Sequence, residues 1–271
     1  MKHKVFIIFI LASLVLFIAC DNNPNKTDPA KKPTEEETKN TEEDQKQEIV
    51  DNIKNLLPMV TQILTTHNDN TWNENAQGYD LTAANQLFAV IQHTPQGQAG
   101  GAIPYNGNDA NSKVARREMY LAFEYNKDYI KAFGTLANKM AATATATPAM
   151  KTILEEIVHG MREYANAYYL KAFYMLNNKK DELKNLSLDK LQTLLNKINA
   201  IKEAKTNIVN AVNKIKEDYD TDKEVGTATH KLKTTATATE IKDYLESKQG
   251  TFVNDITTIK NTAAEILTIL I

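Results

Sequence analysis

The sequence predicts an all-α protein: a helical bundle of about five to seven helices behind a disordered N-terminal tether. Three observations predict it. From Glu48 onward the apolar residues recur every three or four positions, not every two. Nine glycines and seven prolines in 271 residues are few for a turn-rich all-β fold or a glycine-cradled nucleotide site. The chain holds one cysteine, which leaves neither a disulfide framework nor a thiolate zinc cage.

The N-terminus reads as an address. Met1–Lys4 carries two lysines and a histidine, and Val5–Ile18 follows with Ser13 as its one polar residue. Fourteen residues are too short to cross a bilayer, which takes about 20 apolar residues, but they suit the apolar core of a signal peptide. Leu16-Phe17-Ile18-Ala19-Cys20 resembles a relaxed bacterial lipobox. That resemblance implies a signal peptide over 1–19 and lipidation at Cys20. An ordinary secretory signal with an incidental cysteine is the alternative. Removal of 1–19 takes Lys2 and Lys4 with it, so 30 basic residues face 34 acidic ones. A net acidic chain lacks the positive charge that displaces counterions from a nucleic acid.

Residues 20–47 read as the lipidated tether. They hold Pro24, Pro29 and Pro33, many charges and no large apolar side chain, too little to offset chain entropy. Residues 48–271 read as the bundle domain. Ile49, Ile53, Leu56, Leu57, Val60 and Ile63 or Leu64 form the first stripe, with a break or kink expected at Pro58. A second helix is expected over Asp80–Gln92, capped by Asp80, with Leu81, Ala84, Leu87, Phe88 and Ile91 on one face. Thr94–Asn111 reads as a long irregular loop, because Pro95, Gly97, Gly100, Gly101, Pro104 and Gly107 are all turn formers. It is either a connector or a partner contact.

Helix resumes near Ser112, with Met119, Phe123, Ile130, Phe133 and Leu136 as its stripe. The tract from Ala141 to Pro148 interrupts it. A long amphipathic helix is expected from Ala149 to about Asn177, followed by a turn at Asn177–Lys180 and an N-cap at Ser187. The clearest periodicity comes next: Leu191, Leu194, Ile198, Ile201, Lys205, Ile208, Val212, Ile215 and Tyr219 alternate steps of 3 and 4, with Lys205 as the polar intruder. This is bundle or coiled-coil spacing. Asp220–Ala238 is polar. The last segment, through Phe252, Ile256, Ile259, Ala263, Ile266 and Leu270, again alternates 4 and 3. Its greasy end packs back on the bundle or against a second copy.

No constellation points to catalysis. There is no phosphate-binding glycine loop, Gly-x-Ser-x-Gly elbow or His-Glu-x-x-His motif. We therefore read no catalytic residue, cofactor or metal site. The candidate that comes nearest is His159, with Glu155 and Glu163 four residues away on either side and Glu156 three before. On a helix these build either a metal site or proton relay, or an exposed face on which the acids pair with Arg162 and Lys151. Trp72 is an exposed anchor or folds under the first helices. Tyr164, Tyr168, Tyr169, Phe173 and Tyr174 are a binding surface or core. Lys179-Lys180 and Lys231/Lys233 are local basic clusters.

The run Arg116-Arg117-Glu118-Met119-Tyr120-Leu121-Ala122-Phe123-Glu124-Tyr125-Asn126-Lys127-Asp128-Tyr129-Ile130 resembles the Borrelia-type complement-regulator-acquiring surface protein family, the virulent-strain-associated spirochaetal outer-surface lipoproteins. Lys184-Asn185-Leu186-Ser187-Leu188-Asp189, opening a long Leu/Ile-rich helix, is similar to it as well. The resemblance spans about Glu48–Tyr219. It implies a compact α-helical bundle, anchored by lipid in the outer membrane and displayed on the cell surface. It also implies a host serum or extracellular partner: a complement regulator, a complement component or plasminogen. No binding residue carries over, so the contact surface is unknown, and monomer and homodimer are both open. The rivals are a self-associating envelope lipoprotein without a host ligand and, more remotely, a metal-dependent enzyme centred on His159.

Overall fold

The computed structural model describes residues 35–95 and 101–271, with side chains from Thr41 onward. The signal peptide, Cys20 and the first part of the tether lie outside the described residues. In chain order the elements are α1 (Glu35–Lys54), α2 (Leu57–Asn68), the short α3 (Leu87–Val90), β1 (Gln92–His93), β2 (Ile103–Pro104), α4 (Ala110–Ala122) and α5 (Lys127–Ala141). There follow α6 (Pro148–Ala165), a π-helical segment (Asn166–Phe173), α7 (Tyr174–Lys179), α8 (Leu188–Asp220), β3 (Glu224–Val225), β4 (His230–Lys231), α9 (Ala238–Gln249) and α10 (Val253–Leu270). With α6, the π segment and α7 taken as one rod, eight substantial helices are present among the described residues.

α8 is the central rod. Its stripe of Leu191, Leu194, Ile198, Ile201, Ile208, Val212 and Ile215 is buried throughout. α10 packs along it most extensively, and α5 and α1 meet it as well. Burying such side chains contributes about 1.5–3 kcal/mol each before chain entropy is subtracted. Ser187 caps α8 by accepting from Lys190 N–H, as the sequence implies. At the end of α10, Ile266 and Leu270 are buried, so the greasy end packs within the fold. Lys205 departs from the stripe by reaching out: its Nζ lies 2.5 Å from Glu124 and over the rings of Tyr168 and Tyr169. Ala204 takes the buried place beside it.

The expected break at Pro58 is present, with the proline in the first turn of α2. α1 begins at Glu35, inside the stretch read as tether; its packed residues begin at Ile49 and Val50, near the expected start. The stripe over 119–136 is divided between two helices. Glu124 and Tyr125 have positive φ, and Asn126 caps α5 by accepting from Asp128 and Tyr129 N–H. The turn expected at Asn177 starts later, because α7 runs to Lys179.

Asp80–Gln92 is not a helix. Asp80 and Asn85 sit at φ 52° and 62°, a region that Asp and Asn tolerate and that ends a right-handed helix. One helical turn remains, at α3. A remote side chain takes over the capping: Asn138 on α5 accepts from Leu87 N–H at 2.9 Å and donates to Asp80 O at 3.1 Å. Leu81, Leu87, Phe88 and Ile91 are buried as expected, but as a loop pressed on α5. Leu81 lies so close to Gly134 that a Cβ there would meet its Cδ2 at 2.7 Å. The stretch 94–111, expected to be irregular, contains β2 and the start of α4; β2 pairs antiparallel with β1, Gln92 with Pro104 and His93 with Ile103. Asp220–Ala238 folds into a second small hairpin, Glu224 with Lys231 and Val225 with His230, and then enters α9 through a capping box at Thr237 and Glu240. No described helix is long and apolar enough to cross a membrane.

Candidate functional site

A cleft of about 720 Å³ runs along α6 and the π segment, with the β1–β2 hairpin on one side and α10 on the other. Arg116 on α4 anchors the hairpin side. Its Nε and Nη2 donate to both oxygens of Glu74 at 2.7–3.0 Å, and its Nη1 donates to Gly107 O at 2.8 Å and to Tyr105 O. Asp109 caps α4 and Ser112 Oγ donates to Pro104 O at 2.8 Å, so the helix start and the hairpin end are tied together. From the other side, Glu155 on α6 accepts from Gln92 N–H at 2.9 Å.

The floor is polar and internally neutral. Arg162 makes a forked bond to Glu118 at 2.9 and 2.7 Å and donates to the Tyr105 hydroxyl at 2.9 Å. Tyr105 is buried, stacked on Phe88 and held under Arg162. Burial raises its hydroxyl above the usual range, against the opposing pull of Arg162. His93 sits beside it, 7% exposed, with both ring nitrogens buried and without a hydrogen-bond partner among the described residues. Burial first, then the charge of Arg162, hold its pKa below the ordinary histidine value, so the ring is neutral at pH 7. An unmet buried polar group of this kind costs about 1–3 kcal/mol.

The rim is charged. Lys151 pairs with Glu155 at 3.7 Å and Lys260 with Glu163 at 2.6 Å. His159 is exposed on the rim with its Nε2 3.7 Å from Glu163. Glu155 and Glu163 thus have partners other than His159, and among the described residues no three potential metal ligands cluster. The far end of the cleft is formed by Asn166, Ala167 and Lys171 of the π segment, facing Ala264 and Leu267 of α10. A π-helix this long is rare and such distortions concentrate at functional sites.

The other candidates fall elsewhere. Trp72 folds under, 5.4 Å from the ring of Tyr120 and 5.1 Å from that of Tyr125, with the Arg117 guanidinium 5.0 Å from its ring centre. Arg117 also donates to Thr66 O, His67 O and Asp69 O, closing the end of α2. Tyr164, Tyr168, Tyr169 and Phe173 are core, whereas Tyr174 points outward. Lys179 pairs with Glu182 and Lys231 with Glu224, and Lys233 lies over Tyr219. Nothing in the spacing of His93, Tyr105 and Glu118 marks them as one floor. The only signal was Pro and Gly punctuation flanking two short β-compatible runs.

Residues 102–271 match the family described as Borrelia Bbcrasp-1 domain containing protein. The chain belongs to this family. The match takes in β2 and every element from α4 to α10, so the family portion contains the cleft's α6, π and α10 walls. The fold is also that of solved Borrelia burgdorferi structures. The Lyme disease associated outer surface protein BBA65 is 18% identical, with a TM-score of 0.58 over 82% of this chain and 100% of that one. The outer surface lipoprotein BBA64 is 19% identical, with a TM-score of 0.58 over 83% and 96%. A C-terminal proteolytic fragment of an outer surface protein is 11% identical, with a TM-score of 0.57 over 82% and 99%. No curated protein matches the chain.

Proposed function

We infer that this protein is a lipid-anchored outer-surface protein that holds a host macromolecule at the bacterial surface. The partner classes are a complement regulator, a complement component or plasminogen. Family membership carries the reading, since solved proteins of the same fold are outer surface proteins of Borrelia. Cys20 is the anchor site, cut and acylated behind the apolar run 5–18. Several acyl chains at about 0.8 kcal/mol per buried CH₂ make such anchoring effectively permanent. A partner contact of ordinary size covers about 800 Å² on each side. Met59, Val114 and Tyr174, exposed on α2, α4 and α7, are apolar side chains available to it.

Protease treatment of intact cells, followed by an antibody to the helical domain, tests the display. Loss of the domain with a periplasmic control preserved is expected. A Cys20→Ala chain is expected to leave the membrane fraction. Surface-positive cells are then incubated with serum and the captured proteins identified. Protection of the domain from protease refutes the host-partner reading and favours an envelope protein that associates with its own copies.

A further inference from the structure

We propose that the cleft is a docking groove for an extended polypeptide segment of a partner protein, one that carries a basic and an acidic residue about six positions apart. The inference rests on the reading of the protein as a holder of a partner macromolecule, and it names the place and chemistry of the contact.

The charges that line the cleft are mostly spent on each other. Lys151 answers Glu155, Arg162 answers Glu118 and Lys260 answers Glu163. Two remain, Glu156 and Lys171, which have neither ion pair nor hydrogen bond among the described residues. Both are exposed, Lys171 toward one end of the groove and Glu156 toward the other, just inside Lys151. Fifteen positions of α6 and π segment separate them, a distance of about 20 Å. No compact small molecule spans both. An extended chain advances about 3.3 Å per residue, so six residues do.

The ground between these two charges suits a peptide backbone. Asn166 is half-buried with a side-chain amide that has no partner among the described residues, and it offers donors and an acceptor to a passing main chain. His159 stands on the rim between Glu156 and Asn166. Toward the Lys171 end the lining turns apolar, with Ala167, Ala264 and Leu267 giving room for a small side chain. The balance of four cations and four carboxylates lacks the net positive charge that a nucleic acid or an anionic lipid surface requires. A mixed-charge polypeptide is the occupant that complements it.

The test uses the full chain and three labelled Ser/Ala peptides with two charged positions six apart: one Lys and one Glu, two Lys, or two Glu. Affinity is read by anisotropy, and location by the NMR shift of the Asn166 side-chain amide. The mixed peptide is expected to bind about fivefold tighter than either like-charged one, as an exposed ion pair allows. Glu156→Lys moves the preference to the two-Glu peptide, and Lys171→Glu moves it to the two-Lys peptide. Both sites are exposed, so unchanged thermal melts are expected, and Glu156→Gln and Lys171→Gln flatten the ranking without reversing charge. An Asn166 amide unmoved by any peptide at millimolar concentration, or a ranking that ignores the substitutions, overturns the proposal. Serum-protein capture by cells carrying both Gln substitutions separates the two readings. Loss of capture supports the groove as the contact. Undiminished capture overturns the groove and leaves surface binding standing.

Discussion

Arg117→Ala removes one side chain that does three things at the end of α2. Its guanidinium donates to Thr66 O at 2.6 Å, to His67 O at 2.5 Å and to Asp69 O at 3.0 Å. These are the last carbonyls of a helix, where a cation also meets the negative end of the helix dipole. The same group lies over Trp72 and Tyr125. The two part-buried bonds, at about 1.5 kcal/mol each for a charged donor, dominate the estimate. The cation–π contact adds about 0.5 kcal/mol, and water recovers part of the loss at the exposed carbonyl. The net cost is about 2–3 kcal/mol, or roughly 5–10 °C in Tm for a domain of this size. Trp72 is the only tryptophan, so its fluorescence reports on this site, while far-UV dichroism reports the whole fold. His67 supplies a second reading. Its pKa is lowered to about 4, chiefly by burial and then by the charge of Arg117. The unfolded chain therefore takes up this proton first as pH falls. Stability from neutral His67 is full above pH 6.5 and drains away toward pH 4. The full shift corresponds to about 3 kcal/mol, halved here because the ring is partly exposed. In Arg117→Ala the NMR titration of His67 moves upward from about 4 and the acid loss shrinks. A Tm within about 1 °C of wild type, with His67 unmoved, refutes the assignment.

Three further outcomes are expected. Asp218→Asn costs about 2–3 kcal/mol in denaturant titration, because a buried carboxylate there meets Lys214 at 3.1 Å, Lys223 at 3.2 Å, Lys248 at 3.6 Å and Tyr244 Oη at 3.0 Å. Burial alone would raise the Asp218 pKa, but hydrogen bonds from Lys214, Tyr244 and Lys223 hold it below the usual range, so its stabilisation is present above pH 3.8 and lost only as pH falls through the lower folded value; the Asn variant flattens that part of the acid limb. Asn138→Ala costs about 1–2 kcal/mol and speeds hydrogen exchange at Leu87 N–H while leaving α8 protected; unaltered exchange at Leu87 would contradict the remote cap. Lys205→Met, which keeps the length and removes the charge from Glu124, costs about 1–2 kcal/mol by thermal melt; a gain in Tm would mean that the ion pair does not offset its own desolvation.

The sequence was most legible where one element buries one face. α8 follows a strict 3-and-4 spacing because a single stripe meets its neighbours along four heptads, and Lys205 was visible as an exception though its partner Glu124 was not. Asp80–Gln92 was illegible for the opposite reason. Its apolar spacing is helical, yet left-handed Asp80 and Asn85 and a cap from Asn138, more than fifty residues away, decide its shape. The π segment leaves only a faint trace, a step of five from buried Tyr168 to buried Phe173 within a stripe that otherwise steps by three or four. The cleft was the least legible part. Its floor joins Tyr105 from the hairpin end, Glu118 from α4 and Arg162 from α6. Such a triad is created by tertiary packing, not by spacing along any one element.

The pairing of α8 with α10 has a temporal consequence. The widest interface of the bundle joins α8 to α10, so during synthesis the face of α8 that packs on α10 has no cover until α10 emerges. At about 5–20 residues per second, the time from the middle of α8 to the end of α10 is several seconds. Over that interval the seam between α8 and α10 stays open, while pairs such as α4 with α6 and α5 with α8 already have both partners.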